Sequence, residues 1–387
     1  MDLRNLPEGL SPAERCAERR ARIEAETGTN LSSLQTEEAR IGQADERNCE
    51  QMFGTVPLPV GCAGPLAITF SSGEKRHIHL PLATTEGALV ASVNRGCKAI
   101  TTSPEGARVE ARQHGISRSL VLKPKNGKVQ PYTTEIEQRQ NAWKKIGEAT
   151  SNHLKILRFD IDEADGYTFL TLFADTDEAM GMNMITIAAQ AIGDWLAEEL
   201  DAELITIAAN VDSDKKPSKR THDRGRGFEV AASAVLPSSV IADVLKTTPE
   251  KMLAVADAKL RVGSRIAGAI CSNLHAANMI AALYLATGQD AAHVVEGSLA
   301  DTTVTRQGDG IAITVRLPAV IVGVRGGGTA LPAQKQCLDL LLAPETKLRR
   351  KQQLAESIGA AVLAGEVSVL AAQASQTLAS AHRKLAR

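Results

Sequence analysis

The order of predicted strands and helices in the middle of the chain is the strongest constraint on its fold. Helical periodicity predicts a helix over 135–150 and a longer one after the segment 167–174, opened by AMGMNM (179–184). Apolar and β-branched runs predict four strands, at 118–123, 154–161, 167–174 and 203–210. The turn DEADG joins the middle two strands as a hairpin. The order βαββαβ is that of a split βαβ, ferredoxin-like unit.

The sequence on either side of this unit indicates an α+β multidomain protein, since 387 residues can form more than one hydrophobic core. We expect a large mixed α/β domain into which the ferredoxin-like small domain is inserted, preceded by a helical N-terminal segment. From about Glu345 the chain is expected to form a succession of helices rich in small residues. The expected boundaries are 1–50 for the N-terminal segment, 51–118 and 218–387 for the large domain, 119–206 for the small domain and 207–217 for a polar loop.

Composition excludes several classes of protein. Aromatic residues make up 3% of the chain and the net charge is −1, which argues against base-stacking modules and against general attraction to nucleic acid. The N-terminus is charged from its first residues, and no apolar window of membrane-spanning length is expected. Six cysteines are widely spaced without a CxxC pair, which is typical of reduced thiols. We therefore expect a cytoplasmic protein without nucleic-acid or membrane partners.

Two charged positions are candidates for proton transfer and charge stabilisation. Glu86 lies among Ala, Leu, Val and Gly residues at the start of a helix that Thr84 or Thr85 could cap. A carboxyl group in such surroundings is costly to ionise and would serve as a proton donor, although interaction with the helix N-terminus is the better explanation from sequence alone. In DKKP, Lys215 could stabilise an oxyanion, although a solvated charged turn is the default interpretation.

Two segments are candidates for contact with a phosphate-bearing cofactor. AMGMNM (179–184) opens the long helix, whose first N–H groups suit a phosphate, whereas methionines more often pack a core. GGGT (326–329) allows close backbone approach or forms a simple turn. Neither fits GxGxxG, so no Rossmann site is predicted. Cys271 and His275 have no further ligand pair nearby, so no metal site is predicted either.

Taken together, nine short motifs resemble 3-hydroxy-3-methylglutaryl-CoA (HMG-CoA) reductase, specifically its class I form. They occur in the family's order between about Asn48 and His382. The motifs are VPLPVGCAGPL, LATTEGALVASVNRGCKAI, AMGMNM, DKKP followed by GRG, VLKTT, NLHAAN, LATGQDAAHVVE, GGGT and the terminal AH.

The resemblance implies reduction of HMG-CoA to mevalonate and CoA by two hydride transfers from NADPH. It also implies the inserted ferredoxin-like domain, and a homodimer or dimer of dimers with active sites shared between subunits. Two alternatives stay open: a reductase of the same family with another acyl substrate or a preference for NADH, and a non-catalytic CoA-binding homologue.

The resemblance places the family's four catalytic residues on Glu86, Lys215, Asp290 and His382. In that scheme Lys215 stabilises the oxyanion that the first hydride creates. His382 protonates the CoA thiolate, and Glu86 supplies a proton during the second reduction. Asp290, expected to lie close to both Glu86 and Lys215, keeps the first protonated and the second charged.

Binding residues are implied in the same way. The positions for the acyl-CoA substrate are Arg118, Asp214, Lys216, Lys259, Ser92, Asn94, Arg95, Lys98, Lys246 and His275. Those for the nicotinamide cofactor are Ser151, Asn152, Met180, Gly181, Met182, Asn183, Thr186, Asn278, Gly326, Gly327 and Gly328.

Three positions depart from the family pattern. Ala208 replaces a common serine before DKKP, and Glu178 replaces an aspartate before AMGMNM. Asn152 stands where the family often has an arginine near the 2′-phosphate of NADPH, which weakens the case for NADPH over NADH. His153 and Lys155 could compensate, and NADPH remains the expected cofactor.

Overall fold

The computed structural model describes residues 1–125, 132–344 and 346–376. Its strands are β1 Val60–Thr69, β2 Lys75–Ala83, β3 Ala107–Pro124, β4 Lys155–Ala164, β5 Tyr167–Asp175, β6 Ala202–Thr206, β7 Gly227–Leu236, β8 Asp301–Gln307 and β9 Gly310–Val320.

Helices separate and cover these strands. The α-helices are α1 Pro12–Thr27, α2 Glu38–Ile41, α3 Ala44–Arg47, α4 Leu89–Thr102, α5 Thr133–Gln138, α6 Gln140–Glu148, α7 Met182–Glu199, α8 Lys219–Arg224, α9 Ser238–Asp243, α10 Pro249–Ala256, α11 Ser264–Ile266, α12 Ala276–Thr287, α13 Val294–Gly297, α14 Pro332–Leu341 and α15 Arg350–Ala374. Short 3₁₀ turns lie at Ser32–Leu34, Ala291–His293 and Gly327–Ala330, and a π-helical stretch lies at Asp257–Gly263.

The long strand β3 belongs to two halves of a nine-stranded sheet. Its first half, to Gly115, pairs with β7, and its second half, from Ile116, pairs with β5 and β6. Gly115 has a φ of 88°, and a Cβ there would lie 2.8 Å from the backbone oxygen of Ala174. A residue without a side chain is therefore needed where the strand passes from one half to the other.

The larger half has the strand order β2-β1-β3-β7-β9-β8. Alternate residues of its strands are buried, and α4, α12 and α15 pack on its inner face. Together they enclose the largest apolar cluster of the described chain. Because small residues line the α4–α15 contact, the two helices approach closely there: a Cβ on Gly96 would lie 1.9 Å from the carbonyl oxygen of Ala364.

The smaller half has the strand order β4-β5-β3-β6, with every neighbouring pair antiparallel. Helices α6 and α7 pack together against this sheet. The apolar stripe predicted for the long helix is confirmed, because Ile185, Ala189, Ile192 and Leu196 are completely buried. They form a second core with Trp143 from α6.

The predicted helix over 135–150 is two helices, α5 and α6, which meet at Arg139. The Trp143 side chain takes a carbonyl group that a continuous helix would use, since its Nε1 donates to the Ile136 carbonyl (2.9 Å). The predicted cap by Thr84 or Thr85 is also wrong. Helix α4 begins at Leu89 after a left-handed Ala88, and Thr84 Oγ1 instead accepts the N–H of Glu86 (2.9 Å).

The expected succession of helices after Glu345 is, in the described residues, the single 25-residue helix α15. By length and composition α15 could cross a membrane, so the expectation that no window is long enough was wrong. Nearly all of this helix is buried inside the protein, where it is the central helix of the large core. Its uniform burial explains why no amphipathic period marks it in the sequence.

Candidate active site

A cleft of about 690 Å³ lies where α7, the loop after β6, the turn after α12 and the glycine run after β9 meet. Helix α7 belongs to the smaller half of the sheet, the turn after α12 and the glycine run belong to the larger half, and the loop after β6 connects the two halves. Eleven of the residues singled out in the sequence line this cleft. They are Arg118, Met180, Gly181, Met182, Asn183, Asp214, Lys215, Asp290, Gly326, Gly327 and Gly328.

Lys215 and Asp290 form an ion pair in the cleft, with Nζ 2.7 Å from Oδ2. Burial disfavours the Asp290 carboxylate, but the hydrogen bonds from Lys215 and from the Ala292 N–H outweigh it, so the pKa of Asp290 lies below its ordinary value. Both side chains keep more than a third of their surface exposed. The ammonium is therefore oriented by a charged partner while it faces the cleft.

Lys215 sits in a strained loop. Three non-glycine residues there, Asn210, Ser213 and Lys215, have left-handed backbones with φ between 54° and 63°. The Lys215 N–H donates to Glu296 Oε1 (2.5 Å), a carboxylate with no exposed surface. A buried anchor thus holds the loop conformation that carries the ammonium.

A buried polar layer lies beneath this loop. Arg226, with 1% of its side chain exposed, donates to Glu296 (2.8 Å), Asp214 (3.0 Å) and Ser117 Oγ (2.9 Å). Burial acts to raise the pKa of Asp214, yet Arg226 outweighs it and the pKa is lowered. Burial prevails at Asp212 and raises its pKa. The layer is therefore a coupled group of charges.

Arg118 connects the substrate and cofactor positions that the sequence implies. Its Nε donates to Thr186 Oγ1 on α7 (3.0 Å), and its Nη1 lies 3.6 Å from both Asp212 and Asp214. A guanidinium in this position can bind a substrate carboxylate at the edge of the cleft.

The start of α7 has a backbone suited to close ligand approach. Gly181 caps the helix with a φ of 95°, and a Cβ there would lie 2.3 Å from Thr176. No side chain caps the helix, so its first N–H groups face the cleft without a side-chain acceptor. Gly326 and Gly327 also have positive φ, and open space lies where their Cβ atoms would be. The two segments form a cradle without bulky side chains.

Glu86 lies apart from the Lys215–Asp290 pair. It is exposed, does not line the cleft, and accepts a hydrogen bond from Asn278 Nδ2 (3.1 Å). No hydrogen bond or ion pair between these described residues joins it to Lys215 or Asp290. Asp290 was expected to contact both Glu86 and Lys215. Within one chain, the described residues show its contact with Lys215 but none with Glu86.

All but one of the residues implied for CoA lie on α4, outside the cleft; the exception is Lys246. Ser92 Oγ and Arg95 Nε both contact Ser368 Oγ of α15, at 2.9 and 3.0 Å. Burial lowers the pKa of Arg95. Asn94 accepts the N–H of Gly64, while Lys98 is exposed. Arg95 is therefore engaged inside the chain, and Lys98 is the α4 base that faces solvent.

The other implied residues are spread over the surface. Lys216, Lys246 and Lys259 are exposed, with Lys259 in the π-helical stretch. His275 precedes α12, and Ser151 and Asn152 lie in the turn before β4. His382 falls outside the described residues.

Sequence reasoning missed Asp212, Arg226, His293 and Glu296, all of which are buried. The available signal was a histidine and an acid inside the apolar run AAHVVEG. Asp214, His293 and Glu296 also offer ligand atoms within 4.8 Å of one another, as a metal site would. Arg226 already donates to two of the three, so a cation occupies the position that a metal would need.

Comparisons with known proteins identify the family of this chain. The sequence model described as hydroxymethylglutaryl-coenzyme A reductase matches residues 15–387. The 3-hydroxy-3-methylglutaryl-coenzyme A reductases of Methanothermobacter thermautotrophicus and Aeropyrum pernix are 38% and 40% identical to this chain; each match covers 95% of the chain, and 92% and 89% of those proteins.

One similar solved structure is the class II enzyme of Streptococcus pneumoniae bound to NADPH in open conformations. It has a TM-score of 0.66 at 18% identity, over 92% of this chain and 96% of that one. At that identity the likeness concerns the fold. The match of the family model over almost the whole chain, with relatives above 30% identity at nearly full length, shows that the chain belongs to the hydroxymethylglutaryl-coenzyme A reductase family.

Proposed function

We propose that this protein reduces HMG-CoA to mevalonate and CoA, with NADPH as the source of two hydrides. The observation that carries this proposal is the Lys215–Asp290 pair, which faces the same cleft as the uncapped start of α7 and the glycine run after β9. An ammonium beside a cofactor cradle is what the reduction of a thioester carbonyl requires.

Lys215 stabilises the negative charge that develops on the carbonyl oxygen in each reduction. Asp290 keeps the ammonium charged and aimed, and the bond from the Lys215 N–H to Glu296 fixes the loop. Because these groups are held in place before the substrate binds, little reorganisation accompanies charge development. Arg118 binds the free carboxylate of the acyl group, and His382 protonates the departing CoA thiolate.

The cofactor site is formed by this chain's own backbone. NADPH supplies a hydride to the substrate carbonyl carbon when it is bound. Met180 to Asn183 offer N–H groups at the positive end of α7 to its pyrophosphate, and Gly326 to Gly328 leave room for its close approach. Thr186, Asn278, Ser151 and Asn152 are proposed further contacts.

The domain organisation that fits this function is a ferredoxin-like small domain at 119–206 inserted into a large domain at 51–118 and 218–387. The strand order β4-β5-β3-β6 supports the insertion, because it is the order of a split βαβ unit. Residues 1–50 form the N-terminal segment, and 207–217 form the loop that presents Lys215.

We also propose a homodimer or dimer of dimers in the cytoplasm. The separation of Glu86 from Lys215 within one chain supports a shared site, since a neighbouring subunit can bring a second Glu86 to the cleft. Six free thiols support a reducing compartment. The class I type is proposed from the motif resemblance alone, and the similar solved structure, at 18% identity, is a class II enzyme.

The test is cofactor oxidation with HMG-CoA by wild-type protein and by Lys215→Ala, followed by nicotinamide absorbance. We expect the substitution to lower kcat by about 10²–10³-fold, as for loss of an oxyanion donor. Lys219→Ala is the matched control, since Lys219 is exposed and pairs with Asp223 on α8. Unchanged turnover in Lys215→Ala would refute the oxyanion role. Tight NADPH binding by a wild-type protein that never turns over would indicate the non-catalytic alternative.

A further inference from the structure

His293 is a buried histidine behind the candidate catalytic pair. It has no exposed surface and lies on the 3₁₀ turn Ala291–His293, directly after Asp290. Its Nε2 lies 3.8 Å from Asp290 Oδ2, the atom that also contacts Lys215, and its Nδ1 lies 3.4 Å from Glu296 Oε1. Both ring nitrogens thus face carboxylate oxygens.

This geometry favours a ring that carries two protons. A neutral imidazole has one N–H and one lone pair, so it would direct a lone pair at one of the two carboxylates. A doubly protonated ring directs an N–H at each. Neither contact meets hydrogen-bond criteria in the described residues, and both nitrogens are otherwise unpaired. Catalytic hydrogen bonds are often long before the substrate binds and shorten in the complex.

The charges around the ring lead to the same conclusion. Glu296 faces His293 from α13, Asp214 from the loop after β6, and Tyr284 lies near Glu296 and Asp290 from α12. The connected layer holds three cations and four carboxyl groups, and a doubly protonated His293 places a fourth positive charge directly beside Asp290 and Glu296. These groups are Arg118, Lys215 and Arg226 on one side, and Asp212, Asp214, Asp290 and Glu296 on the other.

We propose that His293 holds the proton that replenishes Lys215 through Asp290 after the reduction that forms the alcohol. The inference rests on the proposed function. When hydride adds to the carbonyl carbon, the C=O π bond breaks and its electron pair stays on oxygen. Lys215 Nζ gives a proton to that oxygen, which completes the O–H bond and leaves a neutral amine.

Asp290 then passes a proton from His293 Nε2 to the Lys215 amine. The His293 Nε2–H bond breaks as an Asp290 Oδ2–H bond forms, and that O–H bond breaks as the Lys215 N–H bond forms. The ring remains neutral, with its other proton directed at Glu296, until solvent returns a proton. No redox change occurs in this relay. His293 acts through Asp290 and is therefore a positioning and proton-holding residue.

The test is His293→Gln, which retains similar size and polarity but cannot exchange a proton. We expect kcat to fall about 10²-fold, within the range for acid–base groups, with KM for HMG-CoA changed less than about twofold. The pH dependence of kcat that this proton relay gives the wild type should be absent from the variant. His114→Gln is the control, because His114 is a mostly buried histidine paired with Glu229 (2.8 Å) outside the cleft.

A wild-type kcat and pH profile in His293→Gln would overturn the proposal, and so would a loss confined to KM. Nitrogen NMR of the histidine-labelled wild type gives a readout independent of turnover and of the variant's folding. One buried ring should carry an N–H on both of its nitrogens, and His114→Gln should leave that signal unchanged. If every buried ring carries a single N–H, the proposal fails. A wild type inactive with HMG-CoA would refute the proposed function instead.

Discussion

Asn152 is the residue at which the cofactor preference can be altered most directly. It is exposed in the turn before β4, where Ser151 Oγ accepts the N–H of His153 (3.2 Å) and the His153 ring lies 3.2 Å from Asp177. The nearby Asp177 carboxylate opposes a phosphate, whereas an arginine at 152 would attract one. If the 2′-phosphate of NADPH lies beside this turn, as proposed, an arginine at 152 would strengthen the preference for NADPH over NADH.

We predict that Asn152→Arg raises the ratio of kcat/KM for NADPH to that for NADH about tenfold or more, because a charge-assisted hydrogen bond contributes roughly 1.5–3 kcal/mol. The measurement is steady-state kinetics with both cofactors at fixed HMG-CoA. Asn141→Arg adds the same charge to an exposed asparagine of α6 and should leave the ratio unchanged. An equal gain for both cofactors would show that the arginine does not reach the 2′-phosphate.

For individual residues, the sequence identified functional candidates that are exposed or face the cleft better than it identified buried ones. Lys215 and Asp290 came from a family resemblance, and the structure places them 2.7 Å apart. Arg226, His293 and Glu296 lie inside the matching motifs but received no role, because their importance comes from burial and from contacts between distant segments. The composition of a sequence and the spacing of its motifs do not show which charged side chains become buried on folding.

Helices α4 and α15 are the elements whose contact most limits substitution. Gly96 faces α15 so closely that a Cβ would lie 1.9 Å from the Ala364 carbonyl oxygen, and the neighbouring residues Ser92 and Arg95 contact Ser368 across the same interface. Backbone atoms cannot move aside as a flexible side chain can. The helices would have to separate.

We predict that Gly96→Ala destabilises the protein by about 1–3 kcal/mol, the usual cost of overpacking, despite the higher helix propensity of alanine. Chemical denaturation should show a lower midpoint. Gly263→Ala is the matched control, since a Cβ there meets only the Ala258 carbonyl at 3.4 Å, an ordinary contact. Equal midpoints for the two variants would mean that α4 and α15 separate without cost.

Helices and strands could be predicted where apolar residues recur at a regular spacing in the sequence, as in α7 and in the β4–β5 hairpin. The break at Arg139 could not be predicted, because the Trp143 side chain takes a carbonyl group that a continuous helix would use. Helix α15 was predicted as several helices because its small residues are buried on all sides and show no polar face.

Lys351 affects the stability of the whole molecule. It lies near the start of α15, where this helix meets both halves of the sheet. Its Nζ donates to the Ala179 carbonyl (3.0 Å), just before the cofactor cradle, and lies 5.9 Å from the Phe228 ring. Burial lowers the pKa of Lys351 to about 8. The folded protein therefore binds this proton less tightly than the unfolded chain, whose lysine has the ordinary value near 10.4.

We predict that the contribution of Lys351 to stability increases as pH rises from about 8 to about 10.4, because the unfolded state holds more protons in that range. Lys351→Met should be more stable than wild type at neutral pH, and the difference, on the order of 3 kcal/mol, should shrink as pH rises through this window. Denaturation midpoints across pH measure it. Lys335→Met, at an exposed lysine paired with Asp339, should show no such trend. A constant difference at all pH values would contradict the burial effect.

The assembly as a whole decides whether the proposed site is complete. One chain holds Lys215 and Asp290 together, whereas its Glu86 contacts Asn278 and does not line the cleft. If subunits share sites, inactive Glu86→Gln and Lys215→Ala proteins should restore one another after subunit exchange. Each mixed dimer then has one site with both groups intact. Random exchange makes half of the dimers mixed, so activity should recover to about a quarter of wild type.

The control for the subunit-exchange experiment uses the two residues of the Lys215–Asp290 ion pair. Lys215 and Asp290 belong to one chain, so Lys215→Ala mixed with Asp290→Asn leaves every site without one partner of the pair and should restore nothing. Recovery in that mixture would mean that the pair forms between subunits. If the Glu86→Gln and Lys215→Ala mixture also stays inactive, although mass measurements show mixed dimers, then Glu86 serves only its own chain. Glu86 would in that case have to reach Lys215 by a movement within one subunit.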